Sequence, residues 1–290
     1  MFTIVRKVKM NEAVELMEIF APYIAQKCQA GQFVILRVNA YGERIPLTIA
    51  DYDRHNKTIV ILYQKVGYST KQLSLLEVGD TIRDVAGPLG NPVHFDTSKH
   101  VIGVGGGVGS APLYPQVRAL VERGIKVDVI LGAKSASYIL WQERFRKLCN
   151  KVHIVTDDGS LGTKGFVTTV LEEQLQEYAI DQVIAIGPVP MMKAVVSITK
   201  PKNIKTSVSL NPIMIDGTGM CGCCRVSIGD KTKFACIDGP DFDGFLVDFD
   251  ELRNRQQMFM QEEKVCNRTG EIIYDKNIIE NKNEGVRSKR

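Results

Sequence analysis

The amino-acid sequence predicts a chain of mixed architecture: an N-terminal antiparallel β-barrel, a doubly wound parallel α/β domain and a C-terminal cysteine loop. Three observations predict it. The first third holds short apolar or alternating runs divided by turn residues, the mark of antiparallel strands. From His100 onward, strand and helix patterns alternate, as a parallel sheet with crossover helices requires. Where that alternation ends, Asp216-Gly-Thr-Gly-Met-Cys-Gly-Cys-Cys224 opens a glycine- and cysteine-rich stretch that Cys236 completes.

In the first part, residues 33–38, 45–49, 58–63 and 80–85 read as strands, separated by Gly31, Asp53-Arg-His-Asn56, Gly67 and Gly79. The opening residues 1–7 alternate in the same way. In the second part the strands are 101–104, 127–131, 152–156 and 182–186, and the helices 113–123, 139–148 and 168–177. After Pro201 the pattern turns irregular, and beyond Glu262 the chain is polar apart from Ile272-Ile-Tyr274. The expected units are a barrel over 1–97, a nucleotide-binding α/β domain over 98–205, the cysteine-loop region over 206–262 and a polar tail over 263–290.

A length of 290 residues gives two modest domains ample core, and 44% hydrophobic with 24% charged residues is an ordinary globular balance. The net charge is +4, but the last ten residues carry Lys282, Arg287, Lys289 and Arg290 against Glu284. The preceding body is therefore nearly neutral, which argues against a nucleic-acid or membrane-surface partner. No apolar run approaches the ~20 residues of a membrane span, and the N-terminus lacks the apolar core of a signal peptide. The expected location is cytoplasmic. Seven cysteines, four of them between 221 and 236, then argue for metal binding rather than disulfides.

The cysteine stretch reads Asp-x4-Cys-x2-Cys-x11-Cys, through Asp216, Cys221, Cys224 and Cys236. That spacing is close to a plant-type [2Fe–2S] site, with an aspartate where the first thiolate usually stands. Iron is hard enough to accept a carboxylate oxygen there. A Cys-x2-Cys pair also serves zinc knuckles, but a structural zinc site usually adds a second pair, and the distant side offers Cys236 alone. Cys223 stands between two candidate ligands and is read as a spare that can displace Cys224.

Gly105-Gly-Gly-Val-Gly109 falls where a strand gives way to a helix. There glycines let backbone N–H groups approach a pyrophosphate, although such a turn also serves as a tight crossover. Leu131-Gly-Ala-Lys-Ser135 occupies the place where an acidic residue would hold a ribose, so NAD and NADP both stay open. Gly187-Pro-Val-Pro-Met-Met192 and Thr156-Asp-Asp-Gly159 end two further strands and can face the same crevice. In the barrel half, Arg44-Ile-Pro-Leu-Thr48 offers a guanidinium for a diphosphate and a hydroxyl for a ring nitrogen. Gly67-Tyr-Ser-Thr70 can cradle a phosphate or simply cap a helix.

Together with Gly87-Pro-Leu-Gly-Asn91, these motifs resemble, over about residues 1–262, the ferredoxin-reductase-like flavoproteins that carry a C-terminal [2Fe–2S] loop. The resemblance implies an FAD-binding barrel, an NAD(P)H domain and a cluster beside the flavin. It places flavin contacts on Arg44, Pro46, Leu47, Thr48, Tyr63, Gln64, Gly67, Ser69 and Thr70. The nicotinamide-nucleotide site falls on Gly105, Gly106, Gly107, Val108 and Gly109, with Asp157, Gly187, Pro188 and Met191. Asp216 is similar to the small subunit of NADH-dependent ferredoxin:NADP oxidoreductases, whereas dihydroorotate dehydrogenase electron-transfer subunits have cysteine there. The first likeness implies electron bifurcation, ferredoxin reached through the complex and a larger partner subunit related to the small chain of glutamate synthase. The expected activity is hydride exchange between NAD(H) and FAD with single electrons passed through the cluster. The other two readings are a dihydroorotate dehydrogenase electron-transfer subunit and a zinc-stabilised nucleotide-binding module.

Overall fold

The computed structural model describes residues 2–94 and 98–269. The Ile272-Ile-Tyr274 patch and most of the expected polar tail lie outside them.

Seven strands form the first sheet: β1 (Phe2–Lys9), β2 (Val14–Phe20), β3 (Phe33–Arg37), β4 (Arg44–Asp53), β5 (Thr58–Gln64), β6 (Thr81–Ile82) and β7 (Asp84–Leu89). Helices α1 (Pro22–Lys27) and α2 (Tyr68–Ser74) fill two of the connections. The strand order is β6-β1-β2-β5-β4-β3-β7, and every pairing is antiparallel. The two edge strands, β6 and β7, are separated in sequence by Arg83 alone. A single residue spans only ~3.5 Å, so the two edges must come round to meet and the sheet curls into a nearly closed barrel. Alternation along the strands sends Ile4, Met17, Ile19, Leu36, Ile61 and Tyr63 into its interior.

The second sheet is built from β8 (His100–Gly106), β9 (Lys126–Ala133), β10 (Lys151–Thr156), β11 (Thr163–Lys164), β12 (Gln182–Ile186) and β13 (Lys205–Ser209). Its order is β11-β10-β9-β8-β12-β13-β16, parallel but for the edge strand β16 (Asp241–Asp243). Crossover helices α3 (Ser110–Val121), α4 (Gln142–Leu148), α5 (Val167–Glu177) and α6 (Val189–Thr199) cover its two faces, giving two apolar cores with the sheet between them. The β8 interior is buried throughout, as a central parallel strand must be.

The stretch after Pro201 is more regular than its sequence pattern suggests. It forms β13, the hairpin β14 (Arg225–Ile228) and β15 (Lys231–Phe234), α7 (Ala235–Asp238), β16, α8 (Phe249–Gln256) and α9 (Met260–Thr269). These elements are short and half-exposed, so hydrophobic periodicity has too few residues to register. Within the described residues α9 meets α2, where Lys71 Nζ donates to Asn267 Oδ1 at 2.8 Å. No helix of the described residues is long and apolar enough to cross a membrane.

Barrel and parallel sheet meet along α3 and β4. Asp51 of β4 accepts from Arg118 Nη1 at 2.5 Å and from Arg144 Nη2 of α4. Arg118 stacks over Tyr52, and Arg144 lies over Tyr114 and Trp141, so aromatic faces hold both guanidinium groups in place. The Asp51 carboxylate keeps the Arg118 guanidinium above its ordinary value against the cost of burial. The Asp51 side chain is 15% exposed, which takes the cluster out of the weak surface class. Asp51→Ala leaves two cations facing each other, and the expected cost is ~2–3 kcal/mol, at the low end for breaking a buried pair. Thermal melting should fall by roughly 5–10 °C; Arg144→Ala, at the more exposed partner, should cost less than half as much.

Candidate functional site

The parallel strands end facing the barrel, and a cavity of about 1090 Å³ lies between the two. On the barrel side its wall is Phe33 of β3, Pro46, Leu47 and Thr48 of β4, and Leu62 and Gln64 of β5. On the sheet side it is made by the residues at and after the strand ends. These are Gly106–Gly109 after β8, Gly132–Lys134 at β9, Asp157 after β10, Gly187, Pro188 and Met191 after β12, and Ser209–Asn211 after β13. In the order β10-β9-β8-β12-β13 the crossovers leave β8 and β12 in opposite directions, so the crevice opens at that switch point.

Glycine at two positions makes this approach possible. A Cβ on Gly109 would lie 2.3 Å from the Ile186 carbonyl oxygen, so the turn after β8 can sit against β12 only without one. A Cβ on Gly106 would meet Met191 Sδ at 2.4 Å and Pro188 Cδ at 3.1 Å, both in the cavity lining.

Not every residue singled out in the sequence lines this space. Gly105, inside β8, lies behind the turn, where a Cβ would lie 3.0 Å from the Ser110 α-carbon. Strand alternation sends Leu62 and Gln64 to the cavity and Tyr63 into the barrel, where its hydroxyl donates to Glu15 Oε2 at 2.8 Å. Burial and that carboxylate push the Tyr63 hydroxyl up. Arg44 opens β4 exposed. Gly67, Ser69 and Thr70 open α2: Thr70 Oγ1 donates to the Gly67 carbonyl and Ser69 Oγ to Glu43 Oε2 at 3.2 Å. The structure thus gathers Pro46–Thr48, Gln64, Gly106–Gly109, Asp157, Gly187, Pro188 and Met191 around one cavity and leaves Gly105 and the other five barrel-side residues outside its lining.

Sequence reasoning missed Phe33, Gly165–Thr168, Ser209–Asn211 and Met214, all of which line the cavity. A usable signal existed for Ser209–Asn211. In a doubly wound sheet every strand's C-terminal end points to the same crevice, and β13 is the next strand after β12.

The cysteine loop packs behind the barrel side of the cavity. Cys224 and Cys236 are buried, their sulfurs 3.1 Å apart, well beyond the ~2.05 Å of a disulfide. They share a small apolar core with Phe33, Ile35 and Met214. Burial pushes the Cys236 thiol up to about 12. Cys221 is exposed, and the backbone N–H of Cys223, with that of Asp216, holds its thiol below the ordinary value. Asp216 Oδ2 accepts from the Thr218 hydroxyl. Cys223 is half-buried beside Cys221, and its carbonyl accepts from Arg255 Nη2 at 3.0 Å, so Cys224 rather than Cys223 faces Cys236. Gly217 and Gly219 have φ of +82° and +80°, and Cβ atoms there would meet Leu89 at 2.7 Å and Ile237 at 2.5 Å.

Among the described residues no three His, Cys, Asp or Glu side chains converge to hold a single metal ion. The donors stand instead as two sets: Cys224 with Cys236, and Cys221 near Asp216. A tetrahedral zinc needs its donors around one point. A two-iron, two-sulfide rhomb takes two protein donors on each iron, and the donor set present fits that group better.

Comparison with known proteins agrees with this division of labour. Residues 104–197 match the oxidoreductase NAD-binding domain, and residues 211–248 match the iron-sulfur cluster binding domain of dihydroorotate dehydrogenase B. An uncharacterised protein from the adh 3' region of Clostridium beijerinckii is 47% identical, covering 91% of this chain and 92% of the relative. A structure described as the NADH-dependent reduced ferredoxin-NADP oxidoreductase superposes with a TM-score of 0.87 at 42% identity, over 91% of this chain and 96% of that one. A cytochrome P450 reductase of Amycolatopsis, at 22% identity and a TM-score of 0.62 over 70% of this chain and 66% of that one, shares the fold. The dihydroorotate dehydrogenase B electron transfer subunit homolog of Thermotoga maritima is 44% identical over 90% of this chain and 93% of its own length. The chain belongs to the ferredoxin-reductase-like family of these electron-transfer subunits and their homologues.

Proposed function

We propose that this oxidoreductase subunit brings NAD(H) and FAD together in the cavity and passes single electrons through a [2Fe–2S] cluster held by Asp216, Cys221, Cys224 and Cys236. The complex it serves is an electron-bifurcating NADH-dependent ferredoxin:NADP oxidoreductase. One observation carries the reading: Phe33 and Met214 line the cavity and also pack in the buried core that holds Cys224 and Cys236. A single layer of side chains therefore separates the two sites.

When bound, the flavin supplies a centre that takes two electrons together and releases them one at a time. The chain's own residues bind and orient. The Thr48 hydroxyl and Gln64 amide face the cavity from the barrel and can hydrogen-bond a ring edge, with Pro46 and Leu47 beside them. Gly106, Gly107, Val108 and Gly109 offer backbone N–H groups to a pyrophosphate, and Asp157 lies across the crevice. Gly187, Pro188 and Met191 form the wall for a nicotinamide, with backbone close to its ring. Arg44, Gly67, Ser69 and Thr70 serve the diphosphate beyond the cavity, and Tyr63 contributes main chain alone. Hydride exchange needs no acid or nucleophile from the protein.

A larger partner subunit takes the electrons onward, and we assign it to relatives of the glutamate synthase small chain, with ferredoxin reached through the complex. Ile215, Met220 and Ile237 are exposed around the cysteine loop, Met220 at 88%, an apolar rim suited to burial against such a partner. The dihydroorotate dehydrogenase reading is favoured by the domain matched at 211–248 and by the Thermotoga relative's description. Identification of the subunit that co-purifies with the chain separates the two.

The anaerobically purified chain should show flavin absorption near ~450 nm and roughly two irons with matching sulfide; a colourless chain with stoichiometric zinc overturns the redox reading. Asp216→Cys should retain a cluster but lower its potential, because thiolate donates more charge than carboxylate; an unchanged potential in an EPR-monitored titration removes Asp216 from the ligand set. Gly106→Val, which fills the cavity beside Met191, should raise the KM for NADH by roughly tenfold or more, about 1.4 kcal/mol of lost binding, while flavin and iron content stay at wild-type levels.

A further inference from the structure

Asp241, the first residue of β16, sits where three parts of the fold meet. Gln116 of α3 donates from Nε2 to both carboxylate oxygens, at 3.3 and 3.1 Å. Ser209, at the end of β13, stands directly opposite Asp241 in the antiparallel pairing of β13 with β16, and its hydroxyl pulls the carboxyl down. From the barrel side Gly31 approaches so closely that a Cβ there would lie 2.9 Å from Asp241 Oδ2. Ser209 and Pro240, on either side of this carboxylate, both line the cavity. The remaining charged residue of β16, Asp243, is exposed and accepts from the Phe245 amide. Burial raises the Asp241 carboxyl, and the two groups that pull it down, Ser209 and Gln116, are both neutral.

Gln116 is an unusual companion for such a group. It is 1% exposed, and its Oε1 is buried without a hydrogen-bond partner among the described residues. A primary amide can donate to a carboxylate through its nitrogen. After a half-turn of the terminal torsion it can accept from a carboxylic acid through its oxygen. A carboxyl group held by one amide and one hydroxyl is therefore satisfied in both protonation states. Burial lifts the Asp241 carboxyl to about 6, against the pull of Ser209 and Gln116, so both states are accessible near neutrality.

The proposed function leaves a proton to place. A hydride leaving NADH carries two electrons and one proton, and an iron–sulfur cluster takes electrons only. Each hydride whose electrons leave singly thus deposits one proton in the cavity, and the reverse reaction needs one back. We propose that Asp241 is the proton acceptor for this site, taking that proton through the Ser209 hydroxyl and returning it when NAD+ is reduced. Asp241 acts through Ser209 and positions the proton rather than touching the coenzyme. The inference rests on the reading of the cavity as a flavin and nicotinamide site.

The test mixes the cofactor-loaded chain with NADH and follows loss of flavin absorbance and reduction of the cluster separately. In the wild type, the ratio of cluster reduction rate to flavin reduction rate should fall as pH drops through about 6, where the acceptor fills. In Asp241→Asn the ratio should drop at least tenfold at pH 7 and lose its pH dependence and its solvent isotope effect; Ser209→Ala should do the same. A ratio and pH profile unchanged in Asp241→Asn overturn the proposal. If NADH bleaches no flavin at all, the functional reading falls, and Asp241 is then judged on the chain without cofactors. There the 13C resonance of its carboxyl should titrate near 6, and an ordinary carboxylate value overturns the proposal as well.

Discussion

The contact between Arg118 and Asp51 sets the one distance on which the rest of the molecule depends, that between barrel and parallel sheet. Arg118 belongs to α3, and α3 touches the cavity wall, Asp241 and the barrel. Its first residues follow the glycine turn and place Ala111 and Pro112 in the cavity wall. Its middle supplies Gln116 to Asp241, and its last turn is tied to β4. Arg118 is held by the carboxylate and by the Tyr52 face together, and the same carboxylate recruits Arg144. Such a pair in contact with aromatic faces has lost much of its water, so removing one partner costs far more than at an exposed pair.

The cysteine loop follows from a different constraint, close approach. Its glycines carry positive φ, and two have no room for a side chain because the loop is pressed onto Ile35, Leu89 and Ile237. That pressure brings the buried pair Cys224 and Cys236 against Phe33 and Met214, which in turn form the cavity wall. Cys221 and Asp216 stay at the surface. The loop therefore has an inner pair facing the cavity wall and an outer pair facing solvent, the arrangement that the proposed relay needs.

Much of this was legible in the sequence, and the limits have physical reasons. The alternation of strand and helix from His100 gave the parallel sheet because buried central strands leave unbroken apolar runs such as Val101-Ile102 and Val104. The glycine turn and Gly187-Pro-Val-Pro-Met-Met192 were legible because unusual backbone needs unusual residues. Trp141 was not: it stands at φ +55° and delays the start of α4 to Gln142, which no local preference for tryptophan foretells. The inward face of Tyr63 was not legible, since a strand buried on both sides shows no alternation to reveal which residues point inward. The weakest region was 205–256, where strands of three to five residues and an edge role for β16 depend on tertiary partners. Asp241 belongs to that region, and a lone aspartate beside a proline reads as a turn until Gln116 and Ser209 are seen to surround it.

The segment from Cys236 to Asp241 joins the cysteine loop to the carboxyl of the proposed proton path. Cys236 ends the donor set against Phe33, and five residues later Asp241 faces Gln116 and Ser209 on the opposite side of Pro240. Electrons tunnel through a layer of side chains, but a proton must pass along hydrogen bonds, so the two cannot share one route through an apolar wall. Phe33 and Met214 offer no donor or acceptor for a proton. Ser209 does, and it lies in the cavity wall next to Leu210, whose amide donates to the Pro240 carbonyl at 2.9 Å. Placing both exits on one short, pinned segment keeps them at fixed distances from the same cavity. Charge separation at this site then follows from where the chain runs, without any moving part.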